Sequence, residues 1–439
     1  MVAPPGVPFA TECKRRSRPA CYARAMPIPA PHRTAMTPAL VVVLLTLLLG
    51  IQPITTDLYL PALPTIARDF HAGATATQQT LAALVICFGL GQLLAGPLAD
   101  RFGRRPVLIG GLALYSAAGV LAAFATGIDA LVGWRSLQGL AMAAAVTGAR
   151  SIIRDLYPPL EGARVMSRAM TGLGLMAFAA PVTGGAILTV TDWHVALLAP
   201  APFGLATLVL VARRFEESVP RRNPDALNLV ALARNARAIV RDPTFRAFTL
   251  LASATYGGLF VMLVASSFVF IDVLGHSRAF YGACIASFSV AYIAGTLLCR
   301  RLLAHRGLRP TIAIGGAVSL AGGLAMAALS LAGVWSAWAI VVPMWLYAFG
   351  HGIHQPCAQA GAVGPFPEKA GTAAALTGFA MMALAWGASI VVGRSMNGTV
   401  FPLTLGIAAF SLVVAGTAWT LVQRHGDVRS MPPSSRQPA

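Results

Sequence analysis

Charge is what this chain has least of. Aspartate, glutamate, lysine and arginine make up only 11% of its 439 residues, where soluble domains carry about a quarter. A soluble interior cannot absorb the 56% of hydrophobic residues that remain beside them, because long chains split into domains rather than enlarge one core. Metal-site spacing is missing too. Six cysteines stand at 13, 21, 87, 284, 299 and 357 with no CxxC pair and no Cys/His cluster, so neither a disulfide framework nor a zinc site is expected. There is no GxxxxGK[ST] phosphate loop and no HExxH, which argues against ATP hydrolysis and metallopeptidase chemistry. Paired carboxylates and a Ser/His/Asp set are likewise absent from the apolar stretches. The chain does not read as an enzyme, and no cofactor is expected.

What the sequence has is long apolar runs. Mean hydropathy is +0.70, with 43 glycines, and small residues suit helix packing in lipid. A bilayer core takes roughly 20 apolar residues as helix. Twelve candidates emerge: 38–63, 78–98, 107–126, 130–153, 165–190, 194–212, 246–271, 279–299, 311–332, 335–360, 370–393 and 399–422. Helix is required because lipid offers no partner to a free backbone group. The expected fold is an all-α membrane protein of twelve spans in two six-helix, pseudo-symmetric bundles.

The basic residues test that count. Of the 33 lysines and arginines, 28 fall in the two tails, the middle loop and the even-to-odd connections. Three, Arg68, Arg278 and Arg394, fall in the odd-to-even connections, and two, Arg135 and Arg150, lie inside the fourth run. By the positive-inside rule both termini are cytoplasmic. The formal charge of +18 then anchors topology against an anionic leaflet. No aromatic residues interleave with the basic ones, so a nucleic-acid partner is not expected.

Residues 1–36 are rich in Pro, Arg and Ala and read as a disordered cytoplasmic tail; Met36 is an alternative start. Arg15-Arg16 has no apolar stretch close behind it, unlike a twin-arginine signal. A first bundle is expected over 37–212, a basic cytoplasmic linker over 213–245 with a short surface helix across 226–241, a second bundle over 246–422, and a tail over 423–439. The halves echo each other. Arg101-Phe102-Gly103-Arg104-Arg105-Pro106 has a weak counterpart in His305-Arg306-Gly307-Leu308-Arg309-Pro310. Duplicated halves with a midplane site between them are a transporter plan.

Nearly all of the fifteen carboxylates fall in tails or loops. Asp57 is the exception, about six residues before the outer end of the first run and bracketed by Pro53 and Pro61. An acid inside a membrane is a functional-site hypothesis by default. Burial and a nearby cation pull a carboxyl in opposite directions, and an acid balanced between them can exchange a proton. Arg135 is expected at similar depth in the fourth run, with Gln138 a turn deeper, so an Asp57–Arg135 pair is expected. A permanent clamp that transports nothing would look the same. The tenth run carries His351, His354 and Gln355, and the seventh carries Tyr256, Phe260, Met262, Ser266, Ser267, Phe268 and Phe270. Aromatics and Met suit an adaptable apolar pocket, although packing and lipid-facing residues would share that pattern.

The motifs resemble those of the major facilitator superfamily across nearly all of 38–422. Gly96-Pro97-Leu98-Ala99-Asp100-Arg101-Phe102-Gly103-Arg104-Arg105-Pro106-Val107 is similar to its signature loop. That resemblance implies a conformational switch at Gly96, Asp100, Arg101, Gly103, Arg104 and Arg105, and the Asp could sit near another helix's N-terminus. Arg135-Ser136-Leu137-Gln138-Gly139 resembles the motif linked to proton transfer. Pro181-Val182-Thr183-Gly184-Gly185 resembles the antiporter motif, adding Pro181, Gly184 and Gly185 to the switch. It departs at Ala180 and Met176, where the motif has glycine, and small-residue packing would explain it equally. Thr56-Asp57-Leu58-Tyr59-Leu60-Pro61-Ala62-Leu63-Pro64 is similar to the first-helix signature of the bicyclomycin/chloramphenicol-resistance (Bcr/CflA) drug exporters. Ser267-Phe268-Val269-Phe270-Ile271 and Gly371-Thr372-Ala373-Ala374-Ala375-Leu376 are similar to that group's helices 7 and 11.

The resemblance implies a drug/proton antiporter of a bacterial inner membrane, working by alternating access as a monomer. Asp57 and Arg135 would couple protons. Tyr59, Gln138, Tyr256, Ser266, Phe268, Phe270, His351 and Gln355 would meet small hydrophobic or amphipathic substrates. Transport of a single metabolite by symport or export is the alternative, and a non-transport membrane protein is a third reading.

Overall fold

A chain surrounded by hydrocarbon must satisfy its backbone amides within each segment. The computed structural model describes residues 36–157, 159–219 and 222–426, and among them the regular structure is helical, with no strand. The expected tails therefore lie mostly outside the described residues.

Helix α1 is Pro38–Thr56, which breaks and resumes through Leu60–Ala62 as Leu63–Asp69. There follow α2 (Ala74–Phe102), α3 (Arg104–Ala123), α4 (Ile128–Leu156), α5 (Pro159–Val190) and α6 (Trp193–Arg214). Between Pro224–Leu227 and α7 lies a linker helix, Leu229–Arg241. Then come α7 (Pro243–Val273), α8 (Arg278–Arg306), α9 (Leu308–Leu331), α10 (Ala337–Val363), α11 (Ala370–Ser395) and α12 (Phe401–His425).

Ten of these helices are long and apolar enough to cross a membrane by length and composition. The expectation was twelve; the two that fall short are α4 and α10, although they have 29 and 27 residues. Interior polar groups lower their apolarity: Arg135 and Gln138 in α4, and His351, His354 and Gln355 in α10. Large side chains such as Leu94, Leu175, Leu205, Leu297 and Leu412 are exposed on the helix surfaces, as a hydrocarbon solvent allows.

The connections are shorter than the apolar runs suggested. A single residue, Gly103, separates α2 from α3, and a single residue, Gly307, separates α8 from α9. Their φ values are 108° and 76°, a region that only glycine enters readily.

The packing repeats with an offset of six helices. α2 packs on α4 as α8 packs on α10; α3 packs on α6 as α9 packs on α12; α1 packs on α5 as α7 packs on α11. Two seams join the halves, α2 with α11 and α5 with α8, and the same offset exchanges one seam for the other. Small residues allow the closest approaches. A Cβ on Gly139 of α4 would collide with the Leu84 carbonyl of α2, and one on Gly352 of α10 would collide with the Tyr292 carbonyl of α8.

The two turn glycines separate backbone strain from crowding. A Cβ on Gly307 would meet nothing within 4 Å, whereas one on Gly103 would collide with the Glu217 carboxylate. Gly307→Ala should cost about 1–3 kcal/mol from backbone strain alone, and Gly103→Ala more. Thermal unfolding of purified protein checks this: the expected order of melting temperature is wild type, then Gly307→Ala, then Gly103→Ala.

Candidate functional site

The break in α1 has a local cause. Proline at 61 cannot donate to the carbonyl four residues earlier, so the helical ladder stops there. Asp57 caps the first piece, its N–H donating to the Pro53 carbonyl at 2.8 Å. The carboxylate is half-buried, and the Thr56 hydroxyl donates to its Oδ1 at 2.6 Å. Tyr256 on α7 and Tyr281 on α8 are the nearby hydroxyls of the second half. Tyr256 also lies beside the Gln52 side chain and stacks on Phe260, with centroids 6.1 Å apart. Tyr281 bonds Ser266 at 3.0 Å and lies 5.9 Å from the Phe270 ring. Asp57 therefore looks across from the first half to aromatic hydroxyls of the second.

Arg135 is fully buried, but it is not the partner of Asp57. Its Nη1 donates to Gln138 Oε1 at 2.8 Å and its Nη2 to the Thr55 carbonyl at 3.0 Å. The guanidinium lies over the Tyr59 ring at 4.4 Å, a cation–π contact. Tyr59 is held in turn by Thr80, and Tyr115 by Thr55 Oγ1 at 2.6 Å. Among the described residues no ion pair joins Asp57 to Arg135. The expected pairing rested on matching depth, and depth does not fix rotation about the axis. Thr55 and Tyr59 are one turn apart and share the face toward α4, while Asp57 lies two residues from each, on the other side of α1.

The other anticipated residues divide by location. Tyr59 and Gln138 are buried inside the first half, in the cradle of Arg135. Ser266 and Phe270 gather around Tyr281, Tyr256 lies farther back along α7 against Phe260, and Phe268 is buried between Ser266 and Phe270. His351 Nδ1 pairs with Thr255 Oγ1 at 3.1 Å, its ring 5.4 Å from Tyr292. Gln355 reaches the Met381 sulfur at 3.8 Å. His351 and Gln355 thus make their contacts within the second half, apart from the carboxylate.

The α5 residues Pro181, Gly184 and Gly185 lie between that site and the second half. A Cβ on Gly184 would collide with the Leu58 carbonyl, next to Asp57. One on Gly185 would stand 2.8 Å from the Arg278 carbonyl, and one on Gly282 of α8 would meet the Pro181 carbonyl. Arg278 also donates to the Leu188 carbonyl at 3.1 Å and the Thr65 hydroxyl at 2.7 Å. The α5 stretch is therefore a small-residue contact that ties the broken α1 to the start of α8.

At the opposite end, Arg104 is buried, ion-paired with Asp100 at 2.6 Å and bonded to Asp155 at 3.1 Å. Gly96 approaches α4 at Thr147. Arg101 lies 5.6 Å over the Phe102 ring, and Arg105 donates to the Ala212 carbonyl at 2.7 Å. The N-terminus of α3 is capped by Glu217: its two oxygens accept from the N–H groups of Arg104 at 2.8 Å and Arg105 at 3.2 Å. A carboxylate is favoured there by the helix dipole.

Sequence reasoning missed Gln52, Tyr281, Arg278, Asp155 and Glu217. Arg278 was visible as one of three basic residues on its side. The others carry no local signal, because their partners are brought to them by folding: Ser266 lies 15 positions from Tyr281, and Arg104 lies 51 from Asp155 and 113 from Glu217.

Two substitutions test the geometry. Arg135→Lys loses the fork that reaches Gln138 and Thr55 together, and should lower stability by about 1–3 kcal/mol, read as a lower melting temperature. Gly184→Val should displace Leu58 and with it Asp57; membrane expression near wild type with transport abolished is the expected outcome.

Residues 45–390 match the family model of the Major Facilitator Superfamily. The uncharacterized MFS-type transporter YdgK of Bacillus subtilis is 29% identical over 260 residues, 59% of this chain and 65% of that protein. Multidrug resistance protein D of Escherichia coli is 27% identical over 353 residues, 76% of this chain and 84% of the relative. The bicyclomycin resistance protein homolog of Haemophilus influenzae is 26% identical over 366 residues, 83% and 90% respectively. The xylose transporter XylE of E. coli, in a partially occluded inward-open conformation, superposes with a TM-score of 0.69 at 14% identity, over 87% of this chain and 98% of that one; this likeness concerns the fold. The chain belongs to the major facilitator superfamily of membrane transporters.

Proposed function

We propose that the protein exports small drug-like molecules across a bacterial inner membrane in exchange for protons, by alternating access. The single observation that carries this reading is Asp57: a half-buried carboxylate at a helix break, with no cation in ion-pair reach among the described residues, facing the opposite half. A charged carboxylate in such surroundings is costly. Binding either a proton or a donor group of a substrate relieves that cost, so the two compete for one group. Asp57 adjoins Leu58, which rests on Gly184, and α5 in turn meets the start of α8. A change of state at Asp57 therefore bears directly on a contact between the halves.

In this cycle the substrate enters from the cytoplasm while Asp57 is charged. A proton arriving from outside neutralises Asp57, the substrate leaves outward, and proton release to the cytoplasm resets the site. Arg135 holds the α1–α4 contact that positions the break and takes no proton in this scheme. The reading includes α4 and α10 as spans, giving twelve, with halves over 37–212 and 246–422 and both termini cytoplasmic. The drug-resistance names of the relatives support the substrate class.

Asp57→Asn keeps the shape of the side chain and removes its proton. In vesicles at wild-type expression, export driven by a pH gradient should be lost while downhill exchange persists; pH-driven export at the wild-type rate would overturn the coupling role. Orientation is checked by single cysteines in an otherwise cysteine-free protein. Gly127→Cys and Gly398→Cys should react with an impermeant maleimide added outside intact cells, and Glu216→Cys should not.

A further inference from the structure

The linker helix Leu229–Arg241 presents two different strips to its surroundings. Its termini are well made: the Asn228 side chain accepts from the N–H groups of Val230 and Ala231, both at 3.1 Å. Ile239 is its buried residue, and the helix packs on the inner ends of α7 and α11. Leu232, Asn235 and Ala236 flank Ile239 and are half-buried. With 3.6 residues per turn, the exposed arc then divides into an apolar and a mainly basic strip. Leu229, Ala233 and Val240 form one strip, and Leu229 is 76% and Val240 47% exposed. Arg234, Arg237 and Arg241 form the neighbouring strip, all three exposed, with Val230, 67% exposed, among them. The preceding turn, Pro224–Leu227, lies on α2, so the helix sits beneath the seam between α2 and α11.

From this arrangement we infer that the linker helix is an interfacial element that binds the anionic phospholipid headgroups of the cytoplasmic leaflet. An apolar strip beside a basic strip is the pattern of a helix lying in the headgroup plane. The charge complement is specific, since the cytoplasmic leaflet carries negative lipids and this end of the bundle carries the basic residues. Leu229 and Val240 enter the acyl boundary while the three guanidinium groups meet phosphates. The seam position puts bound lipid where the two halves separate, so lipid charge bears on the movement between them. The inference rests on the orientation proposed above.

Hydrogen exchange of the full-length protein in nanodiscs is the test. One set is made of phosphatidylcholine alone and the other of phosphatidylcholine with phosphatidylglycerol. Amides of 229–241 should exchange more slowly in the anionic set, and added salt should reverse the effect. The triple variant Arg234→Gln, Arg237→Gln, Arg241→Gln should lose preference for the anionic lipid by on the order of a hundredfold, at roughly one kcal/mol per basic residue. Unchanged exchange in α7 shows that the variant is folded. Equal exchange in the two sets overturns the inference and leaves the apolar strip to a protein partner, as does anionic preference retained in the variant. Because a nanodisc exposes both leaflets, this result is independent of the maleimide labelling that tests orientation.

Discussion

The Leu58 carbonyl of α1 occupies the space where a side chain on residue 184 would be. That backbone-on-backbone approach is the constraint from which the rest of the site follows. It holds the break in α1 open, fixes the direction of Asp57 and places α5 within reach of α8. Only residues without bulk permit it, and α5 supplies Gly184 and Gly185 at consecutive positions, one against α1 and the other against Arg278. The stretch that resembles an antiporter motif and the stretch that packs small residues are one and the same. Choosing between a packing and a functional account is unnecessary, because the close packing is what links the acid to the opposite half.

Much of the architecture was legible in one dimension. Apolar runs located the helices, because a bilayer tolerates little else at that depth. The two Arg/Gly/Pro turns announced the duplication, and both prove to hinge on one glycine of positive φ. The length of the connections was not legible. Charged residues such as Arg101, Arg300 and Arg301 mark a span as ended, yet the helix continues past them.

Within the site, depth was readable and azimuth was not. Asp57 and Arg135 lie at comparable heights, but a helix turns 100° per residue, and two positions along α1 separate the face that meets Arg135 from the face that meets Tyr256. The direction of α1 is set by Gly184 and by the Tyr59–Thr80 contact, both distant in sequence. Tyr281 and Glu217 escaped notice for the same reason: an isolated tyrosine or glutamate acquires meaning only from partners brought by folding.

The linker between the halves is less of a free tether than its length implies. Glu217 and Ser218 are bonded to the first half, through the Arg104 and Arg105 amides and Asp155, and the Asn223 amide donates to the Asp100 carbonyl at 3.0 Å. The helix that begins at Leu229 rests on the second half. The crossing is thus concentrated at Asn228, with φ −68° and ψ 101°. A yoke of one residue restricts how far the α2–α11 edge can gape, so any wide opening at the linker end must swing like a door hung on that edge, with its greatest travel at α5 and α8.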